Sequence, residues 1–170
     1  MIGPSGTGKS TWATGFLNNP ENQNYIRINR DSIRECLIPN HIDTWYQRPD
    51  RDNLEKLVSS LEYDMIDVAN YFDKDVIIDA TNVDKKRLES FLAYLKHHYP
   101  EVDISIKIMQ CTLETAQNRV YRRDYPELVF DTDEEHFDYS AMPEVEYIEK
   151  QFNKMQGVLN WLKTQEYKML

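Results

Sequence analysis

Residues 3–10 read Gly3-Pro4-Ser5-Gly6-Thr7-Gly8-Lys9-Ser10, a match to G-x-x-x-x-G-K-[ST]. No other stretch restricts the chain so tightly, because this loop works only between a strand and a helix N-terminus. Its glycines let the backbone turn sharply and aim N–H groups at an anion. The helix expected from Lys9 presents its positive dipole end to the same point. A flexible lysine and a small hydroxyl then follow at the positions where a triphosphate and its metal need them. Average composition produces such an octapeptide by accident in roughly one chain of this size in two hundred. The loop therefore predicts binding of a nucleoside triphosphate through Gly3, Ser5, Gly6, Thr7, Gly8, Lys9, Ser10 and Thr11, with Lys9 on the β- and γ-phosphates and Ser10 on Mg²⁺.

The rest of the pattern agrees with a single α/β domain over 1–170, a parallel sheet flanked by helices with a helical or loop lid at about 113–147. Tyr25–Asn29, Val76–Ala80 and Ile104–Met109 read as strands, and Tyr167–Leu170 as a last edge strand. Leu54, Leu57, Val58, Leu61, Met65, Val68, Ala69 and Phe72 mark one face of a long helix. Leu88, Phe91, Leu92, Leu95 and Tyr99 mark a second, and Val145, Ile148, Phe152, Met155, Leu159 and Leu162 a third that starts at Pro143. Thr112 caps a helix running through Arg122. Only Met1 and Ile2 precede Gly3, so the sheet lacks most of the central strand that such a loop normally follows.

The net charge of −9 is local. Residues 124–149 hold ten acids and no Lys or Arg, so the remainder of the chain is close to neutral. That excludes the basic footprint of a general duplex-DNA binder, though not an enzyme that grips a nucleic-acid end. Cys36 and Cys111 fit no metal spacing and read as free thiols in a reducing compartment. No apolar run is long enough for a membrane span and no leader pattern is present, so the expectation is an intracellular, cytoplasmic protein (host cytoplasm for a phage-encoded chain). The four histidines are too scattered to hold a metal.

Asn29-Arg30-Asp31-Ser32-Ile33-Arg34 follows the Tyr25–Asn29 strand, at the carboxyl edge where open α/β sheets bind ligands. A carboxylate there can take the proton of an attacking hydroxyl, and an arginine one turn on can fork onto an acceptor phosphate. Asp31 as a simple N-cap with Arg34 as its i+3 partner stands beside that reading.

The loop with Thr11-Trp12-Ala13, then Ile28-Asn29-Arg30-Asp31-x-x-Arg34, then Val76-Ile77-Ile78-Asp79-Ala80-Thr81-Asn82, resembles the 5′-hydroxyl polynucleotide kinase family, phage members included. The resemblance runs over about 1–123 and returns at Pro143. It implies ATP and Mg²⁺ as donor and cofactor, and a nucleic-acid end or nucleotide-like acceptor. It implies that Asp31 is the general base and that Arg34 binds the phosphate beside the acceptor hydroxyl. It further implies that Arg123 is a lid arginine on the migrating phosphoryl group, with Arg119 a second. The helix-dipole preference for cations at a C-terminus is the plainer account of one or two of Arg119, Arg122 and Arg123. Asp79 reads either as an acid of the Mg²⁺ shell or as a structural acid fixing nearby loops. Thr81 and Asn82 line the acceptor side or cap the helix near Lys85. Trp45 and Tyr46, with Arg48 and Arg51, are nominated for acceptor contact.

The expected activity is phosphoryl transfer from ATP to a nucleic-acid hydroxyl, first of all a 5′-OH end. The acidic segment favours a different acceptor, such as a 5-hydroxymethyl pyrimidine in phage DNA, a nucleotide or a small metabolite. A non-kinase ATP-binding regulatory module is the alternative of another class. Oligomeric state is left open.

Overall fold

The computed structural model describes residues 1–39, 45–124 and 143–170. They form ten regular elements: α1 (Lys9–Leu17), β1 (Tyr25–Asn29), α2 (Arg30–Leu37), α3 (Arg51–Tyr71), β2 (Asp75–Asp79), α4 (Lys85–His98), β3 (Ser105–Ile106), α5 (Leu113–Asp124), α6 (Pro143–Leu162) and β4 (Lys168–Met169). Short 3₁₀ turns lie at Pro20–Asn22 and Trp45–Gln47. Most of the acidic segment and of the expected lid, with Tyr125 to Met142, His41 and His136, falls outside the described residues. The architecture is α/β, with parallel strands flanked by helices. It divides into two compact units, Met1–Lys9 with Thr81–Leu170, and Ser10–Ala80.

In the Ser10–Ala80 unit, β1 and β2 pair in parallel with Tyr25 opposite Asp75 and Asn29 opposite Asp79. β1 matches its predicted span, and β2 begins one residue earlier than expected. α3 packs on both strands and on α2, and its Val58, Ile66 and Ala69 are buried. This corrects the sequence expectation for α3. Leu57, Met65, Val68 and Phe72 belong to the predicted apolar face, yet they are exposed. The face turned inward is Val58, Glu62, Ile66 and Ala69. Glu62 is the cause: it binds a buried arginine, Arg30, so the true inward row carries a charge that hydrophobic periodicity counts against it.

In the other unit, Ile2, Val83, Leu88, Leu92, Ile106, Met155, Val158 and Leu162 form one core that joins the strands to α4 and α6. Ala116, Val120 and Ile148 tie α5 to α6. The short strand before the phosphate loop is used on both edges. Ile2 N–H donates to Lys107 O at 2.9 Å and Met109 N–H to Ile2 O at 2.8 Å, while Gly3 N–H donates to Thr81 O at 2.9 Å. Backbone hydrogen bonds thus hold Ile2 and Gly3 on both sides within this unit. The predicted Ile104–Met109 strand is observed as Ser105–Ile106 plus a bridge from Ile108 to Ile2. β4 pairs in parallel with β3 in the predicted edge position.

Candidate active site

The phosphate loop is built within the first unit. Gly6 (φ 78°) and Gly8 (φ 85°) adopt left-handed conformations that side chains disfavour. At Gly6 space forbids a side chain as well, since a Cβ would lie 2.8 Å from Ala116 Cα. At Gly3 it would lie 2.5 Å from Met109 O. The loop closes on Pro4 O, which accepts from Thr7 Oγ1 at 2.8 Å and from Lys9 Nζ at 2.7 Å. Lys9 is buried, and its ammonium is a donor of the kind that phosphate oxygens accept from. Ser5 N–H is held by Gln151 Oε1 at 2.6 Å. Arg119 reaches the same loop, donating from Nη1 to Gly6 O at 3.2 Å. Arg123 forks onto Asp124 at 2.6 and 2.9 Å.

Thr81 contributes its carbonyl to Gly3, as above. Asn82 takes a left-handed backbone (φ 49°), which asparagine tolerates, and its Nδ2 donates to Met1 O at 3.0 Å. Neither caps α4. The cap is Asp84, whose side chain accepts from Arg87 N–H at 3.1 Å, which corrects that alternative for the pair.

The second unit gathers the acids and their arginines. Ser10 opens it, one peptide bond after Lys9, and Thr11 is exposed in the first turn of α1. Ser10 Oγ donates to Asp79 Oδ2 at 2.9 Å, so the two groups expected around Mg²⁺ meet directly. Asp79 is almost fully buried. Arg27 forks onto its Oδ2, and Asn29 Nδ2 donates to both its carbonyl O, at 2.9 Å, and its carboxylate, at 3.2 Å. Both readings of Asp79 therefore have a physical basis: it fixes Arg27 and Asn29, and it stands beside the hydroxyl. A serine hydroxyl and a carboxylate are hard oxygen donors that fit Mg²⁺, which takes one or two protein ligands when phosphates supply others.

Asp31 is not the cap of α2. Asn29 is, with its Oδ1 accepting Ser32 N–H at 2.8 Å. That frees the Asp31 carboxylate from the plainer role. Its side chain is 79% exposed, and Oδ1 accepts from Arg34 Nη1 at 2.5 Å. Arg34 is anchored behind it. Nε and Nη2 donate to Glu55 Oε1 and Oε2 at 2.9 and 3.0 Å, and the guanidinium carbon lies 5.6 Å from the centre of the Trp45 ring. Trp45 Nε1 donates to Glu55 at 2.8 Å. Arg30 adds to the network through Glu55 at 2.9 Å and Glu62 at 2.5 Å.

Trp45 is thus corrected. It is fully buried, so its ring braces Arg34 and offers no face to an acceptor base. Arg48 is held by Asp50 at 2.9 Å. The sequence signal that suggested otherwise, a polar proline-flanked setting, says nothing about a long-range partner such as Glu55. Glu55, Arg27 and Gln151 are the site-bracing residues that sequence analysis missed. Only Arg27 had a readable cue: Arg27 and Asn29 are polar at i and i+2 of a buried strand, hence on one face.

Burial alone opposes ionisation of Glu55, but Arg34, then Trp45 and Arg30, hold its carboxyl down from the ordinary 4.5 to about 2. A lowered folded value means the group stabilises the fold above about pH 4.5 and loses that contribution as the pH falls towards 2. Acid unfolding of the wild type followed by circular dichroism is therefore expected to steepen between those values, and Glu55→Gln to flatten that segment. An unchanged profile in Glu55→Gln would contradict the assignment.

Among the described residues no helix is long and apolar enough to cross a membrane, none of the His, Cys, Asp and Glu groups forms a metal cluster, and Cys36 and Cys111 are free.

The loop, the parallel strands and the flanking helices define a P-loop NTPase-type fold. The sequence profile of the AAA domain family (AAA_33) matches residues 1–142, and the chain belongs to that family. The family is P-loop and kinase-like and includes polynucleotide-kinase-like members, which supports ATP-dependent kinase or NTPase activity. A search of curated proteins finds no match to the chain.

Proposed function

We propose that the chain acts as one kinase domain that moves the γ-phosphoryl group of ATP to a hydroxyl of a nucleic acid or nucleotide-like acceptor, with a 5′-OH end as the foremost candidate. The carrying observation is the Asp31–Arg34 pair, an exposed carboxylate held by an arginine that Glu55 and Trp45 brace from behind. An enzyme that transfers phosphate only to water has no use for an acceptor clamp.

In this reading Asp31 accepts the proton of the acceptor hydroxyl as its oxygen bonds to the γ-phosphorus. The bond from that phosphorus to the bridging oxygen breaks, and ADP leaves with the electron pair. Loop N–H groups and Lys9 hold the donor phosphates, and Arg119 and Arg123 balance charge on the phosphoryl group in flight. Ser10 and Asp79 would hold Mg²⁺, which when bound would supply positive charge to offset that of the donor phosphates. Thr81 and Asn82 belong to the acceptor side. Arg34 binds the phosphate next to the acceptor hydroxyl.

That last role specifies a test. A nucleoside 3′-monophosphate is expected to be accepted with a KM about 10–100-fold below that of the bare nucleoside, a range set by one charge-assisted arginine contact of about 1.5–3 kcal/mol. Arg34→Ala should erase most of the difference. Equal KM values for the two acceptors in the wild type would count against a nucleic-acid acceptor and favour a hydroxyl with no neighbouring phosphate.

A further inference from the structure

α6 carries a face that the proposed reaction leaves unused. Tyr147, Lys150, Gln151 and Lys154 follow one another at i, i+3, i+4 and i+7, so they share one side of the helix. With Asn82, which precedes α4, and Arg87 in its first turn, they line a cavity of about 430 Å³ inside the first unit. That volume lies in the range of small-molecule sites.

The chemistry of the walls is specific. Arg87, Lys150 and Lys154 face a single lining acid, Asp84, in a chain whose net charge is −9. Asp84 is engaged as the cap of α4 and lies 3.9 Å from Lys154. Lys150 pairs with Glu146 at 2.6 Å, but both side chains are largely exposed, and an exposed pair of this kind is weak. A phosphate dianion competes well for such a lysine. Tyr147 is half exposed and supplies an aromatic ring suited to stacking on a base. The amides of Asn82 and Asn153 offer both donors and acceptors for a base edge. Gln151, buried in the wall, is the residue that holds Ser5 N–H, so the cavity is coupled to the phosphate loop by one hydrogen bond.

We propose that this cavity binds a nucleoside monophosphate unit, its phosphate on Arg87, Lys150 and Lys154 and its base on Tyr147. The α6 wall lies beyond residue 142, where the family match ends, so family membership assigns it no ligand. The unit has two possible sources, a free nucleotide or a nucleotide within the acceptor strand. The strand version rests on the kinase reading above, and the free-nucleotide version does not.

The test is equilibrium binding to the full chain with the phosphate loop saturated by a non-hydrolysable ATP analogue. The probes are AMP, by calorimetry, and a 3′-labelled single-stranded oligonucleotide with a 5′-OH, by fluorescence anisotropy. Lys150→Ala/Lys154→Ala is expected to weaken binding by about tenfold or more, and Arg87→Ala to weaken it further. Lys163→Ala, an exposed lysine outside the cavity, should bind as the wild type does. Loss for the oligonucleotide, with a salt slope shallower by at most about 0.7 for the one phosphate the cavity holds, identifies the strand. Loss for AMP alone identifies a free nucleotide. Wild-type affinity in the double variant for both probes, or no binding of either probe to the wild type, overturns the proposal. Phosphoryl transfer assayed in parallel separates the two claims. Transfer to 5′ ends together with wild-type binding of both probes in the double variant retires the cavity alone. Cavity-dependent binding without transfer to any acceptor retires the kinase reading alone.

Discussion

Asp31→Asn is expected to lower phosphoryl transfer to a hydroxyl acceptor by about 10²–10⁴-fold, the range attributable to a positioned general base. Binding of MgATP should persist. The substitution keeps the size of the side chain and removes the proton-accepting charge. Asp31 is largely exposed and caps no helix, so loss of fold is not the route by which activity falls. Its carboxylate accepts from Arg34 at 2.5 Å, and an amide oxygen can still accept that bond. The discriminating comparison is between acceptor-dependent turnover and acceptor-independent hydrolysis. A base for the acceptor hydroxyl predicts collapse of the first and little change in the second. Parallel loss of both would mean that Asp31 acts on the donor side, and full activity in the variant would remove it from the mechanism.

The second large effect concerns stability. Glu62→Ala should destabilise the protein by about 3 kcal/mol, near the lower end of the 3–5 kcal/mol typical for breaking a buried ion pair from one side. Arg30 and Glu62 each expose only 5% of their side chains. Removing the acid strands a guanidinium whose Nε already lacks a hydrogen-bond partner among the described residues. The lower end applies because Glu55 and Ser59 still contact Arg30, at 2.9 and 3.2 Å. For a chain of this length the loss corresponds to a fall in Tm of roughly 6–12 °C. Glu62→Gln, which keeps an acceptor but no charge, should fall between the two. A Tm within a degree of the wild type for Glu62→Ala would show that the network is solvated in solution.

The same network shows where sequence reasoning reaches and where it stops. Local chemistry is legible: the phosphate loop, the strand ending at Asp79 and the helix from Lys9 depend on neighbours within a few residues. So does the juxtaposition of Asp31 and Arg34, three apart on a helix. What braces them is not legible. Glu55 reaches Arg34 across 21 residues, Arg27 reaches Asp79 across 52, and Gln151 reaches Ser5 across 146. Glu55 looks like any helix-surface glutamate and Glu62 breaks the apolar period that identifies α3. Both are turned inward by arginines whose burial no periodicity announces. Trp45 failed for the converse reason, since a polar local setting concealed a core residue.

The central claim is a transfer, and one measurement addresses it directly: ATP labelled in the γ-phosphate, with Mg²⁺ and the wild-type chain, offered 5′-OH DNA and RNA oligonucleotides, 5-hydroxymethyluracil DNA, free nucleotides and water in separate reactions. The account predicts label on the 5′ terminus of an oligonucleotide. Label recovered only as inorganic phosphate in every reaction would contradict it and leave a nucleotide-hydrolysing module in its place.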